Sequence, residues 1–159
     1  LSQFSRIGDA KDEYCNIQDV IENSLTLLSS RLKPKNITIV KEYNAEKSSI
    51  KGNEGKRHQV FTNIINNAEQ AIIDEGQIKI TTINHQDEIV IEIIDSGIGM
   101  SKTVIKKMLD PFFTTKAPGE GTGLGMFICQ LIIDEHNAQM EVLSKGGDVS
   151  TFTLTFRVV

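Results

Sequence analysis

One stretch frames the rest of the chain. Between Asn53 and Asp74, the apolar residues Phe61, Ile64, Ile65, Ala68 and Ile72 recur at i, i+3, i+4, i+7 and i+11. That is the spacing of one buried helix face, and a helix with a single apolar stripe must lay it on a second layer of structure. The flanking segments supply that layer. KNITIVKEYN alternates Ile37, Ile39 and Lys41 in strand fashion, and a short strand is expected around Ser49 to Lys51, ending at Gly52. QIKITTIN and DEIVIEIID, joined near His85-Gln86-Asp87, read as an antiparallel hairpin. Upstream, Asn16 is a good N-cap for a helix carrying Ile17, Val20, Ile21, Leu25, Leu27, Leu28 and Leu32, which Pro34 stops. Leu1, Phe4 and Ile7, at helical spacing, look like the end of a longer helix. After Asp95 the chain turns glycine-rich. It should hold a short helix near Lys102 to Leu109, a loop through DPFFTTKAPGEGTG, a helix from about Leu124 to His136, and two strands around Gly146-Gly147. This order predicts an α/β two-layer sandwich.

Composition matters for what it excludes. The 159 residues carry a net charge of −4, which argues against bulk nucleic-acid binding through a basic face. An anionic ligand would need local devices instead: backbone amides, a metal ion, one or two placed cations. Cys15 and Cys129 lie far apart and match no C-x-x-C pattern, so Cys129 reads as a small core residue of its helix. No apolar stretch reaches the roughly 18 to 20 residues of a membrane span. Beginning at Leu1 without a methionine or a signal pattern, the chain reads as a soluble fragment, with room for a parent that continues upstream, even through a membrane.

Three features point to chemistry. On the wheel of the long helix, Gln59, Asn63, Asn66, Asn67 and Gln70 cluster opposite the apolar stripe. A merely solvated face would favour Lys and Glu, which are better helix formers. Amide oxygens can ligand Mg²⁺ without adding negative charge beside a triphosphate. The competing reading is a solvated face in a chain where Asn is frequent. Second, a hydrophobic strand delivers Asp95, with Gly97 and Gly99 directly after it. A carboxylate at the mouth of an apolar pocket can accept a purine's exocyclic N–H, although Asp-Ser-Gly is also ordinary turn chemistry. Third, Gly119, Gly121, Gly123 and Gly125, with Pro118, make a mobile loop opening into a helix, whose N-terminal amides attract phosphate. Lys116 is the one cation in that loop, and Phe112 and Phe113 serve either as a lid anchor or as satellite core. No Walker A loop and no Rossmann strand–G-x-G-x-x-G–helix unit is present.

In this order and spacing, HQVFTNIINNAEQA, DSGIGM, DPFFTTK and GTGLGM resemble the N, G1, F and G2 boxes of sensor histidine kinases, in the superfamily that also holds gyrase B, Hsp90 and MutL. The resemblance implies the Bergerat fold: a mixed sheet of about five strands under three helices, with ATP between the helices under a flexible lid. It implies residues 1–14 as the tail of a dimerisation and phosphoacceptor helical domain, and 15–159 as the ATP-binding catalytic domain. Asn67 would ligand Mg²⁺, and Asn63, on the same face, would also contact the nucleotide. Asp95 would hold the adenine amine, and Gly97, Gly99 and Met100 would shape its pocket. Phe113, Thr115 and Lys116, with Gly121, Thr122, Gly123, Leu124 and Gly125, would serve the phosphates and the lid. Asn67 and Lys116 would be the catalytic pair, and Thr151 would close the adenine site.

Two departures sharpen the expectation. The hydrolase branches place a Glu four residues before the Mg²⁺ asparagine as a general base; here Asn63 stands there, so hydrolysis should be poor. The family's phosphoacceptor motif is missing, since His58, His85 and His136 fall in a helix start, a hairpin turn and a helix end. The expected activity is therefore transfer of the ATP γ-phosphate to a histidine on a separate dimerisation domain of a homodimeric parent, for relay to a response-regulator receiver domain. The parent is expected at the cell membrane with this domain in the cytoplasm. A serine kinase of the anti-sigma-factor kind, a dimerising ATP hydrolase and a nucleotide-gated interaction module are the rivals.

Overall fold

The structure is a computed structural model that describes residues 14–52, 54–98, 125–144 and 149–159. The expected helix near Lys102, the loop through the F box, the turn at Gly146-Gly147 and the upstream tail to residue 13 lie outside those residues. In chain order the elements are β1 (Tyr14–Asn16), α1 (Ile17–Leu27), α2 (Ser29–Leu32), β2 (Ile37–Tyr43), β3 (Ser49–Lys51), α3 (Glu54–Ala71), β4 (Gly76–His85), β5 (Glu88–Asp95), α4 (Gly125–Glu135), β6 (Gln139–Ser144) and β7 (Ser150–Arg157).

Five strands form one mixed sheet in the order β2-β4-β5-β7-β6. Only the β2–β4 pair is parallel, and β4–β5, β5–β7 and β6–β7 are antiparallel. Strict alternation on β5 and β7 turns Ile89, Ile91 and Ile93 inward beside Phe156, Leu154 and Phe152. Onto this row α3 lays its stripe, with Phe61, Ile64, Ile65, Ala68 and Ile72 all almost fully buried. Helix α1 packs on α3 from one side and α4 from the other, so three helices cover one sheet face. A second, two-stranded sheet pairs β1 with β3, placing Cys15 opposite Ile50, and Tyr14 already belongs to it.

The local chemistry of α1 explains its two ends. Asn16 Oδ1 accepts the N–H groups of Gln18 at 3.0 Å and Asp19 at 3.3 Å, the N-cap the sequence suggests. The helix ends at Leu27, earlier than Pro34 would require. Ser24 Oγ donates back to the Val20 carbonyl at 2.8 Å and Thr26 Oγ1 to the Glu22 carbonyl at 3.1 Å, competing for backbone acceptors in the last turn. Pro34 then sits in a 3-10 turn, Lys33–Lys35.

The C-terminal end of α3 is fixed by a cation. Lys35 Nζ donates to the carbonyls of Glu69 and Ile72, both at 3.1 Å, and lies 3.4 Å from the Glu69 carboxylate. The other end carries a buried charge. Arg57 extends the apolar stripe one turn before Phe61 and is 1% exposed. Its Nη2 donates to the Lys51 carbonyl at 2.8 Å and its Cζ lies 5.2 Å from the Phe156 ring centroid, but Nε and Nη1 are buried without partners among the described residues. Burial pushes its ionisation below the ordinary arginine value, with Cys15 pulling the other way. A guanidinium with two unsatisfied nitrogens costs more than one hydrogen bond and one ring contact return. Arg57→Met should therefore raise stability by about 1 kcal/mol, because the stripe stays filled and the orphaned donors are removed. Equilibrium urea unfolding checks this, and a lowered midpoint would show that the guanidinium is better accommodated than its bonds indicate.

Candidate nucleotide site

The buried row of β5 ends not on another isoleucine but on Asp95, 1% exposed. Its Oδ1 accepts the N–H of Gly97 at 2.9 Å, and among the described residues Oδ2 has no partner. Burial raises the carboxyl above its ordinary range, and the Gly97 N–H pulls it back down. Gly97 is pressed against the end of α3. A Cβ there would lie 2.7 Å from the Ala71 carbonyl oxygen and 2.8 Å from its carbon. Ile98 N–H donates to that same oxygen at 3.2 Å. The glycine is required by this backbone approach.

Across the gap α3 offers its polar face, and its amides go separate ways. Asn66 Oδ1 accepts from Arg31 Nη1 at 2.7 Å, which ties it toward α2. Asn63 Nδ2 donates to the Gly125 carbonyl at 3.2 Å, on the first residue of α4. Gln70 Oε1 is buried without a partner among the described residues. Asn67 is half-buried, and its amide has no partner among the described residues. A neutral amide oxygen without a partner suits a hard divalent cation, so the chemistry of Asn67 is compatible with the role expected of it.

Asn63 thus meets Gly125 across α3 and α4, Asp95 and Gly97 meet the end of α3 at Ala71, and Asn67 lies on α3 between these two contacts. Thr151 does not join them. It pairs with Ile94 and lies on the sheet face away from the helices, because alternation on β7 sends Phe152, Leu154 and Phe156 inward and Thr151 outward. Ser150 is the residue the sequence reading missed. It lies directly opposite Asp95, is 2% exposed, and its Oγ is 2.7 Å from Ser144 Oγ. Counting back by two from Phe152 would have found it. Gly99, Met100, Phe113, Thr115, Lys116, Gly121, Thr122, Gly123 and Leu124 lie outside the described residues. None of the histidines sits at this site. His58 Nε2 is 3.6 Å from Glu54, His85 is exposed on the hairpin, and His136 Nδ1 meets the Ile132 carbonyl at 2.7 Å, its ionisation held low mainly by burial.

A mixed sheet under three helices, with a buried carboxylate ending a central strand and an asparagine-lined helix facing it, defines an α/β nucleotide-binding domain. The chain belongs to the histidine kinase-, DNA gyrase B- and HSP90-like ATPase family, whose pattern matches residues 52–159. It is 36% identical over 155 residues to signal transduction histidine-protein kinase AtoS of Escherichia coli (strain K12), covering 97% of this chain and 25% of AtoS. Sporulation kinase C of Bacillus subtilis (strain 168) is 34% identical over 137 residues, covering 86% of this chain and 32% of that kinase. The chain therefore spans between a quarter and a third of these relatives' length. The nucleotide-free catalytic domain of histidine kinase ThkA superposes with a TM-score of 0.81 at 26% identity, covering 92% of this chain and 95% of that one. The fold is that of histidine-kinase catalytic domains, and the chain is an ATPase-type catalytic domain of that kind.

Asp95 couples binding to stability, with a definite sign. A carboxyl whose folded ionisation is raised costs stability above the carboxylate range; the cost fades as pH falls through the raised value and is gone below about 4. Asp95→Asn keeps an acceptor for Gly97 N–H but removes the buried charge. The variant should melt higher than wild type at neutral pH, and the difference should vanish in acid. The same change should weaken nucleotide binding by roughly 1 to 3 kcal/mol, through an amide facing an amine. Melts across pH, with calorimetric titration, check both. Gly97→Ala should be destabilising, because its methyl meets the backbone of Ala71 rather than a movable side chain; a melting temperature equal to wild type would show that the end of α3 yields.

Proposed function

We propose that this chain is the ATP-binding catalytic domain of a two-component sensor histidine kinase, passing the γ-phosphate of Mg-ATP to a histidine outside residues 1–159. Asp95 carries the reading: in a chain of this ATPase family, a fully buried carboxylate keeps one oxygen without a partner among the described residues. An exocyclic adenine amine supplies the missing donor, and Ser150 offers a hydroxyl on the same sheet face.

Phosphoryl transfer demands positioning and charge neutralisation more than covalent help from the protein. Mg²⁺, when bound, neutralises charge on the transferring phosphoryl group, and Asn67 is the residue to hold it. Gly97 fixes the adenine end by docking on Ala71. The amides at the start of α4, from Gly125, face the phosphate end. Lys116, Phe113, Thr115, Gly121, Thr122, Gly123, Leu124, Gly99 and Met100 keep their roles on the strength of the box motifs. The acceptor imidazole is itself a nucleophile, so no strong base is needed here, in keeping with Asn63 where the hydrolases have Glu. The partners are a dimerisation domain of the parent, reached through residues 1–14, and a response-regulator receiver domain. The parent is attached to the cell membrane, with this domain on its cytoplasmic side.

The decisive experiment incubates the parent protein with γ-labelled Mg-ATP. Protein-bound label should be acid-labile and base-stable, and should disappear when one histidine outside this chain is replaced. Acid-stable label on a separate partner would instead identify a serine kinase, and ATP binding without any label would leave a nucleotide-gated module. Asn67→Ala should weaken Mg-ATP binding roughly tenfold while leaving magnesium-free ATP binding unchanged. Equal magnesium dependence in both proteins would remove Asn67 as the ligand.

A further inference from the structure

Two polar contacts join α3 to α4, one turn apart on each helix. Asn63 Nδ2 donates to the Gly125 carbonyl at 3.2 Å, and the Cys129 thiol donates to the Val60 carbonyl at 3.6 Å. Val60 and Asn63 stand three residues apart on α3, Gly125 and Cys129 four apart on α4. A single turn of each helix is thereby gripped twice. The Asn63 side chain also faces the Cys129 thiol. Burial pushes that thiol up to about 12 while Asn63 draws it down, so it stays a neutral donor. A Cβ on Gly125 would clear Asn63 at 3.8 Å, so the contact is made by the asparagine reaching for backbone rather than by a glycine-only approach. Farther along the same seam Lys56 and Glu135 pair at 2.8 Å, but both are about half exposed.

Asn63 and Asn67 thus differ although they share a helix face. The Asn63 amide nitrogen is committed to α4, which fixes how its side chain is turned; the Asn67 amide, one turn on, has no partner among the described residues. We propose that Asn63 is a positioning residue and not a nucleotide or metal ligand: it sets the first turn of α4 against the turn of α3 that leads to Asn67. The spacing between the metal-holding amide and the backbone at Gly125 is then fixed before nucleotide arrives. This rests on the proposed roles of Asn67 and of the α4 start in holding Mg-ATP.

The test measures ATP dissociation constants with magnesium and with EDTA for wild type, Asn63→Ala, Asn63→Asp and Asn67→Ala. Both Asn63 variants should weaken binding about fivefold, equally with and without magnesium, because neither can donate to Gly125. Asn67→Ala should remove only the magnesium-dependent part. Asn63→Asp is the sharp arm, since a carboxylate is the better magnesium ligand. Magnesium-dependent binding that is kept or strengthened in that variant would overturn the proposal, as would an Asn63→Ala loss confined to the magnesium condition. Hydrogen exchange reads the latch without nucleotide. The Cys129 N–H, whose helical acceptor is the Gly125 carbonyl, should exchange faster in Asn63→Ala and unchanged in Asn67→Ala. Unchanged exchange in Asn63→Ala would refute the latch. If the Asn63 variants do not fold, slow exchange of the Asn63 side-chain amide protons in the wild type supports the contact and free exchange refutes it. Failure of the wild type to bind ATP would remove the nucleotide reading while leaving the exchange result to decide the latch.

Discussion

The end of β5 and the end of α3 meet through backbone, and the site depends on that meeting. Ala71 gives its carbonyl to Ile98 N–H, Gly97 comes too close to Ala71 to carry a side chain, and Asp95 holds Gly97 N–H from the strand side. A helix C-terminus leaves its last carbonyls without internal partners. Here Lys35 satisfies two such acceptors and the glycine segment after β5 satisfies another. The helix terminus is thereby welded to the sheet at the level of Asp95. The carboxylate cannot shift without moving α3, and α3 carries the asparagines. Adenine-end and phosphate-end groups thus share one rigid frame, which is what a reaction governed by positioning requires.

Much of this frame was legible in the sequence because it depends on local periodicity. The stripe from Phe61 to Ile72 is buried as its spacing dictates, Asn16 caps α1, and the hairpin of β4 and β5 has the register its alternation implies. What escaped depends on partners distant in sequence. Thr151 was carried over from the family resemblance, whereas the face a β7 residue occupies follows from Phe152 and its alternate neighbours, which put Ser150 beside Asp95. The β1–β3 pairing joins residues too far apart for any local pattern to reveal. Arg57 reads as a polar interruption of an apolar stripe, yet the stripe prevails. Burying the residues around it encloses the guanidinium as well, with Phe156 and Lys51 as its only compensation among the described residues.

Exchanging one side chain separates two chemistries on this scaffold. A carboxylate at position 63 would repel the Gly125 carbonyl and could polarise water. The amide does the reverse, donating to that carbonyl and holding α4 in place. Transfer to an imidazole gains nothing from an activated water and loses phosphate to it. In the proposed transfer an asparagine would therefore serve twice, by withholding a base and by binding α4.

Among the described residues, three polar groups at the proposed site have no hydrogen-bond partner, while Arg57 Nε and Nη1 are left without one at the far end of α3. Asp95 Oδ2 is an acceptor at the end of β5, Gln70 Oε1 stands beside Ala71 at the adjoining end of α3, and the Asn67 amide is one turn further back. Buried polar atoms without partners cost stability, and scattered ones would be selected against. On the proposed reading, a ligand with a donor at one end and a cation at the other would give the three groups at the site their partners together. Such a ligand binds the folded state alone, so each relieved group adds both to affinity and to stability. Mg-ATP has that polarity.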